Sequence, residues 1–459
     1  MEYIVIDLGS SFIKAAVFDA DRLLLHDVAA IASPPFLEPD HPCKCENDIE
    51  RILQIVTDLI GKLARGRNVA GLFFSTQMHG FILTRDDGKP YSPFISWQDT
   101  RSLQINLETG KSFLTDYMDL IPGTAQRKTG NPAHAGPSAY TLYAMRQRGE
   151  FDGRGKFFTL GDYLAFRLSG GHSKCHLTQA AATGLVDLET GDWNRSIIEA
   201  IGLGQISFPE ICSESKAIAM IEIEQNRIPI YPAIGDQQAA MAGALAQPGK
   251  DLIINIGTGA QVGRIETGLE FGDYELRPYF GATHLRTFSR LPGGRALHVL
   301  SNFFVDVVRT VGGKPGIEPA EIWKTLNPLE LKETNLHSDV SFFGLDGKNA
   351  GGKIWNITER NLTVGDLLKS AFDDMAENYF KYGTRLGRKI ERVLCMGGIS
   401  ARSAALRQSI AKRFGTEVRT APFGEDTLAG LARIALVVSG RCRDFEEAGV
   451  EMKKLVVKN

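Results

Sequence analysis

Asp7-Leu8-Gly9-Ser10-Ser11 and Ile256-Gly257-Thr258-Gly259-Ala260 lie far apart, yet both carry an apolar strand into a glycine turn and out into a second strand. Turns of this kind leave backbone N–H groups pointing outward, and a nest of such groups binds phosphate. Two of them imply two related domains addressing one polyphosphate. Between them stands Gly235-Asp236-Gln237-Gln238, a lone carboxylate opening an alanine-rich helix. A positioned carboxylate can orient a hydroxyl and take its proton as the oxygen bonds to phosphorus, so the three motifs together point to phosphoryl transfer.

Each motif also has a plainer use, since glycine turns close ordinary hairpins and aspartate is a common helix cap. Their joint occurrence favours a phosphate clamp. Asp7 ends its strand where a carboxylate can hold Mg2+ directly or through water. Gly9, Ser10 and Ser11 offer donors and Lys14 offsets phosphate charge, while Gly257, Thr258 and Gly259 do the same from the other half. An apolar strand over residues 228–234 aims Asp236 inward. Its expected N-cap position, ahead of a helix over 237–246, would keep it ionised and fixed in direction. Two commoner nucleotide motifs fail. Thr109-Gly110-Lys111-Ser112 resembles the end of a P-loop, but Ile105 stands where the motif needs its first glycine. Gly257-Thr258-Gly259 opens like a dinucleotide fingerprint, but Val262 replaces the third glycine and a strand pattern follows.

Strand and helix patterns alternate along the chain, which predicts an α/β protein. Ile49, Ile52, Leu53, Val56, Leu59, Ile60 and Leu63 fall at helical spacing, and a buried strand over 69–75 then delivers Gln77-Met78-His79-Gly80. Ligands of open α/β sheets bind beyond the carboxyl ends of strands, so this turn is a candidate site. A short apolar segment leads into Trp97-Gln98-Asp99-Thr100-Arg101; helices broken by prolines follow over 103–148, then a mixed segment to 203. Gln247-Pro248-Gly249-Lys250 marks a domain boundary, giving domains 1–246 and 247–459. Further expectations are strands around 279–287, a turn at Pro292-Gly293-Gly294, a helix over 366–380, a strand over 392–396, the turn Gly397-Gly398, and a small-residue helix over 427–439.

With 459 residues the chain exceeds one ordinary core, and its 43% hydrophobic and 23% charged residues are those of a globular protein. A net charge of −2 argues against a nucleic-acid or anionic-membrane binder. No apolar run reaches the ~18 residues of a membrane span, and the first residues form a strand with no leader pattern, so a cytoplasmic location is expected. The six cysteines are expected to be reduced; His41-Pro42-Cys43-Lys44-Cys45 has no second cluster to complete a metal site.

In order and spacing these motifs resemble the FGGY family of carbohydrate kinases over essentially the whole chain. The resemblance implies two actin-like (ribonuclease-H-like) ATPase domains with an interdomain active-site cleft, and ATP- and Mg2+-dependent transfer of the γ-phosphoryl group to a sugar hydroxyl. It implies Asp236 as general base, and Asp7 with Asp236 at the metal. Gly9, Ser10, Ser11, Lys14, Gly257, Thr258 and Gly259 would bind phosphate, and Gly397 and Gly398 adenosine. Gln77, Met78, His79, Asp99, Arg101 and Gln237 would hold sugar hydroxyls, with Trp97 as a stacking wall. Gln77-Met78-His79-Gly80 is similar to xylulokinases and sedoheptulokinases, whereas Gly235-Asp236-Gln237-Gln238 is closer to glycerol kinases, so the expected substrate is a ketose such as sedoheptulose or xylulose. The partner is then a small-molecule sugar, not nucleic acid or membrane, and a homodimer is compatible with the family. The competing readings are an actin-like ATPase and a sugar-binding protein without turnover. The two sugar-type segments speak against the first, and the intact Asp236 speaks against the second.

Overall fold

The computed structural model describes residues 1–223, 226–342, 351–387 and 389–458. The chain divides into two compact units. The first comprises Met1–Leu245, Gly268–His284 and Glu425–Asn459, and the second Ala246–Thr267 and Leu285–Gly424. The switch after Leu245 adjoins the Pro-Gly break, and the C-terminal segment returns to the first unit, a return that a boundary drawn along the sequence does not register.

The first unit is built on an eight-stranded sheet with Glu2–Leu8 in its middle, paired antiparallel with Phe12–Asp19 and parallel with Val69–Thr76. Tyr3, Ile4, Val5 and Ile6 are all buried, as expected of a strand covered on both faces. Helix Ile49–Ala64 packs Ile52, Val56, Leu59 and Leu63 against Ile4, Ile6, Leu72 and Phe74. Its N-cap Asp48 accepts hydrogen bonds from the amides of Glu50 and Arg51 at 3.0 and 3.1 Å.

Helices Asp236–Gly243 and Asp426–Val438, also in the first unit, cross at very short range. A Cβ on Gly243 would lie 1.8 Å from the Asp426 carbonyl oxygen, and a Cβ on Gly430 1.8 Å from that of Ala239. The small residues of the last long helix therefore let two backbones touch.

The second unit repeats the central design. Asp251–Ile256 pairs antiparallel with Ala260–Thr267 and parallel with Arg392–Met396. Helix Val364–Gly383 buries Leu368, Phe372, Met375 and Tyr379, as its spacing foretold.

Several expectations change. The strand expected over 228–234 is two pieces, Asn226–Ile230 and Ile234–Gly235, with Pro232 between them, which has no N–H to continue a ladder. The strand expected over 279–287 resolves into Glu275–Pro278 and Thr283–Leu291. A 19-residue helix, Gly294–Gly312, begins where Pro292-Gly293-Gly294 reads only as a turn. Among the described residues no helix is long and apolar enough to cross a membrane.

The glycine crossing gives a direct test. Gly430→Ala should lower stability by about 1–3 kcal/mol, because backbone cannot give way as a flexible side chain would. Gly61→Ala, in a helix with open space around the new methyl, should be neutral or stabilising. Equal urea midpoints for the two variants would contradict the close packing.

Candidate active site

Both glycine turns are built alike. The Gly9 amide donates to the Phe12 carbonyl at 3.0 Å and the Gly257 amide to that of Gly259 at 3.0 Å. The first glycine of each loop thus spends its N–H on closing the turn, contrary to its expected use as a phosphate donor. The exposed residues are Ser10 and Ser11 in one loop and Thr258 and Gly259 in the other. In the first unit, Ser33 Oγ donates to the Gly9 carbonyl at 2.8 Å. In the second, the amides of Gly294 and Arg295 donate to the carbonyls of Gly257 and Thr258 at 2.8 and 2.7 Å. A Cβ on Gly293 would meet the Gly259 carbonyl carbon at 2.5 Å, so the glycine pair is what lets the long helix start against the loop.

Gly397, at φ 86°, approaches the Ile256 carbonyl oxygen so closely that a Cβ would lie 2.6 Å from it, and a helix begins at Gly398. Ile399 and Gly294 then line a cavity of about 460 Å3 within the second unit, together with Leu297, Trp323, Asn327 and Phe372. A mostly apolar cavity of this size suits a nucleoside.

Asp236 is not the helix cap. Gly235 holds that position, and Asp236 is the first helical residue, half-buried, its Oδ1 accepting the Gln237 amide at 2.7 Å. The helix end is not the largest influence on its ionisation. Burial pushes its carboxyl up to about 6, against the opposing pull of that amide and of Arg277. Asp7 is pushed further, to about 7, by burial and by the nearby Asp236 charge, although Ser75 Oγ donates to it at 2.6 Å. Lys14, opposite Asp7 in the hairpin, is not free to meet phosphate. Its ammonium donates to Glu425 at 2.7 Å. Beside Glu425, Asp426 is raised to about 6 by burial, and its Oδ1 has no hydrogen-bond partner among the described residues.

This carboxylate excess fits a hard cation. Among the described residues no three His, Cys, Asp or Glu side chains converge as a protein-only cage. A pair of carboxylates, completed by water and substrate phosphates, is the donor set Mg2+ takes.

Around the Gln77-Met78-His79-Gly80 turn, Met78 is buried, and Gly235 leaves room for its sulfur, which a Cβ would meet at 2.5 Å. His79 sits at φ 69°, unusual for a residue with a side chain, and its Nδ1 donates to the Ala182 carbonyl at 2.6 Å. Burial, with Arg277 and His134 nearby, lowers its pKa to about 3, so the ring is neutral and Nε2 is an acceptor. Gln77 lies apart from this group, lining a small depression with Gly9 and Ser10. Gln237 is buried, and Trp97 is 44% exposed and available as a wall.

Asp99 and Arg101 are placed differently from expectation. They are 0% and 1% exposed. Asp99 grips the Arg101 guanidinium at 2.9 and 2.8 Å and also accepts the Cys45 amide at 3.0 Å. Arg101 pairs further with Glu150 at 2.8 Å and with Glu46. Their polar atoms are spent on one another, which makes them supports beneath the segment and not sugar contacts.

Sequence reasoning missed three residues. Gln179 Nε2 donates to the carbonyls of Thr76 and Ile234 at 2.9 and 3.0 Å, tying together the strand ends that carry His79 and Asp236. Arg277 and Glu275 form a buried pair on strand Glu275–Pro278, with Arg277 Nη2 also donating to His79 Nε2 at 3.3 Å. The signal was an Glu-x-Arg alternation in a strand, which puts both charges on one face.

The profile of the N-terminal domain of the FGGY family of carbohydrate kinases matches residues 2–243. The chain belongs to the FGGY family of carbohydrate kinases. A glycerol kinase 2 of Streptomyces avermitilis is 32% identical over 209 residues, 42% of this chain and 39% of that protein, so the matched part spans well under two thirds of that curated relative. A ligand-bound xylulose kinase of Lactobacillus acidophilus superposes with a TM-score of 0.82 at 20% identity, covering 98% of this chain and 91% of that one. Plasmodium falciparum glycerol kinase with ADP gives 0.80 at 18% identity, covering 99% and 93%. The fold of this FGGY-family chain is thus the two-domain, actin-like ATPase fold of these kinases.

Arg101→Met should cost about 3–5 kcal/mol by leaving buried carboxylates unpaired, with little change in acceptor KM for the protein that remains folded. A normal melting curve with a tenfold higher KM would instead indicate a direct sugar contact.

Proposed function

We propose that this chain is an ATP- and Mg2+-dependent kinase that transfers the γ-phosphoryl group to a hydroxyl of a sugar, a ketose such as sedoheptulose or xylulose. The observation that carries the reading is Asp236: its carboxyl is held in direction by the Gln237 amide, raised to about 6, and set within electrostatic reach of Asp7 and Arg277. Such a group is ionised at neutral pH yet basic enough to accept a proton.

Asp236 takes the proton of the attacking hydroxyl. Ser10 and Ser11 in one loop, and Thr258 and Gly259 in the other, offer donors to phosphate oxygens, while the cavity beside Gly397 and Gly398 receives the nucleoside. Asp7, with Asp236, would hold Mg2+, which when bound supplies positive charge against the phosphates. Met78, His79, Gln237 and Trp97 shape the acceptor pocket. The ketose assignment is supported by the Gln77-Met78-His79-Gly80 turn; the curated relatives named glycerol kinases make glycerol the competing acceptor. A cytoplasmic location belongs to the same reading.

The test is ADP formation from Mg-ATP across sedoheptulose, xylulose, ribulose, fructose and glycerol, with ATP alone as control. One ketose should stimulate turnover far above the control. In Asp236→Asn that turnover should fall by about 10²–10⁴, with calorimetric binding of sugar and ATP retained. Hydrolysis indifferent to every sugar would replace the kinase reading with that of an ATPase.

A further inference from the structure

Arg277 is only 4% exposed, yet its Nε and Nη1 have no hydrogen-bond partner among the described residues. Leaving arginine donors buried and unmade is costly, and each such group in a native fold needs an explanation. The position of these two donors suggests one. The guanidinium lies between His79 and Glu275, and its charge is felt by Asp236. All four residues belong to the first unit.

The geometry of the guanidinium narrows what could meet it. Nη2 has two N–H bonds, and they go to Glu275 Oε2 and His79 Nε2. A guanidinium has two edges able to grip a carboxylate or phosphate with parallel hydrogen bonds, and both edges use an Nη2 hydrogen. With those hydrogens committed, no bidentate grip on an anion remains. The remaining donors, Nε–H and Nη1–H, point in different directions and suit two separate acceptor oxygens. Charge agrees with this. Glu275 offsets the Arg277 charge and His79 is neutral, so this group offers hydrogen bonds with little net positive charge to hold an anion.

We infer that Arg277 contacts the acceptor substrate directly and sets its class, a neutral polyhydroxy compound of which two separate oxygens accept from Nε and Nη1. This rests on the sugar-kinase reading above and deepens it. Glu275 and His79 are then positioning residues. They hold the arginine by Nη2 and so decide which donors face the substrate. His79, expected from sequence to touch the sugar itself, has its one acceptor nitrogen already taken by Arg277.

The experiment uses the full chain with the best neutral acceptor from the sugar panel, its aldonate counterpart, and its monodeoxy analogues. In the wild type, calorimetry should show the neutral sugar binding roughly tenfold or more tighter than the aldonate. Two deoxy positions should each weaken binding about tenfold. Arg277→Lys keeps a charge for Glu275 and should fold. It should raise the acceptor KM about tenfold with ATP KM unchanged, and the two deoxy penalties should shrink because their partner is gone. Rescue of the penalties by no other change is the signature of contact, since a merely structural defect would lower affinity for all analogues alike. Unchanged acceptor KM in folded Arg277→Lys, or tighter binding of the aldonate, overturns the inference while leaving the kinase assignment standing. Absence of any sugar-dependent turnover or sugar binding in the wild type overturns both.

Discussion

The Asp236 carboxylate is useful only where its helix holds it, and that helix is set by backbone meeting backbone. Gly243 and Gly430 admit no side chain at the crossing with Asp426–Val438. Arg433 adds a hydrogen bond to the Ala242 carbonyl at 3.1 Å from across the same crossing. At the other end, Gln179 binds the Ile234 carbonyl, and Thr178 Oγ1 accepts the Gly235 amide at 3.1 Å. The helix start is therefore fixed by side-chain hydrogen bonds, and its body by a contact that tolerates no extra atom. A site that must place one proton acceptor within a fraction of an ångström needs such support from rigid elements.

The same placement explains the electrostatics. Carboxylates in a partly dry environment resist ionisation, and a charged carboxylate nearby adds to the effect. Burial raises Asp7, Asp236 and Asp426 to about 7, 6 and 6, with neighbouring carboxylates adding to the rise at Asp7 and Asp426, while the nearby ammonium of Lys14 is shared with Glu425. The local excess of negative charge fits the account in which a divalent cation arrives with the nucleotide. Around His79 and Arg277 the balance is reversed in kind. A neutral histidine and a paired arginine offer hydrogen bonds with little net charge.

Much of this was legible in the chain because the relevant signals are local. The paired hairpins show in the Tyr3–Ile6 and Leu252–Ile256 apolar runs with their glycine turns, and the first long helix in its spacing. The Gln77-Met78-His79-Gly80 turn and Gly235-Asp236 stand at strand ends where an α/β sheet puts them. What the sequence hid depends on contacts between distant segments. Nothing local shows that Arg101 is spent on Asp99, Glu46 and Glu150, that Lys14 meets Glu425 over four hundred residues later, or that Gln179 spans two strand ends. The raised pKa of Asp236 was hidden for a related reason. The helix-end effect is visible in sequence, whereas burial depends on the whole fold. The helix beginning at Gly294 was masked by its own glycines, which are there for close approach to a loop and not for a turn.

The central claim is that Asp236 accepts a proton in the transfer step from a carboxyl whose pKa the fold has raised. The most direct test is the pH dependence of kcat/KM for Mg-ATP at saturating preferred acceptor, which reports groups of the enzyme before Mg-ATP binds, measured from pH 5 to 8. A carboxyl raised to about 6 should give an acidic limb. Activity should be full above neutrality and lost as pH falls through about 6, because the base must be ionised to act. A profile that stays flat to pH 5 in a stably folded enzyme would contradict the account.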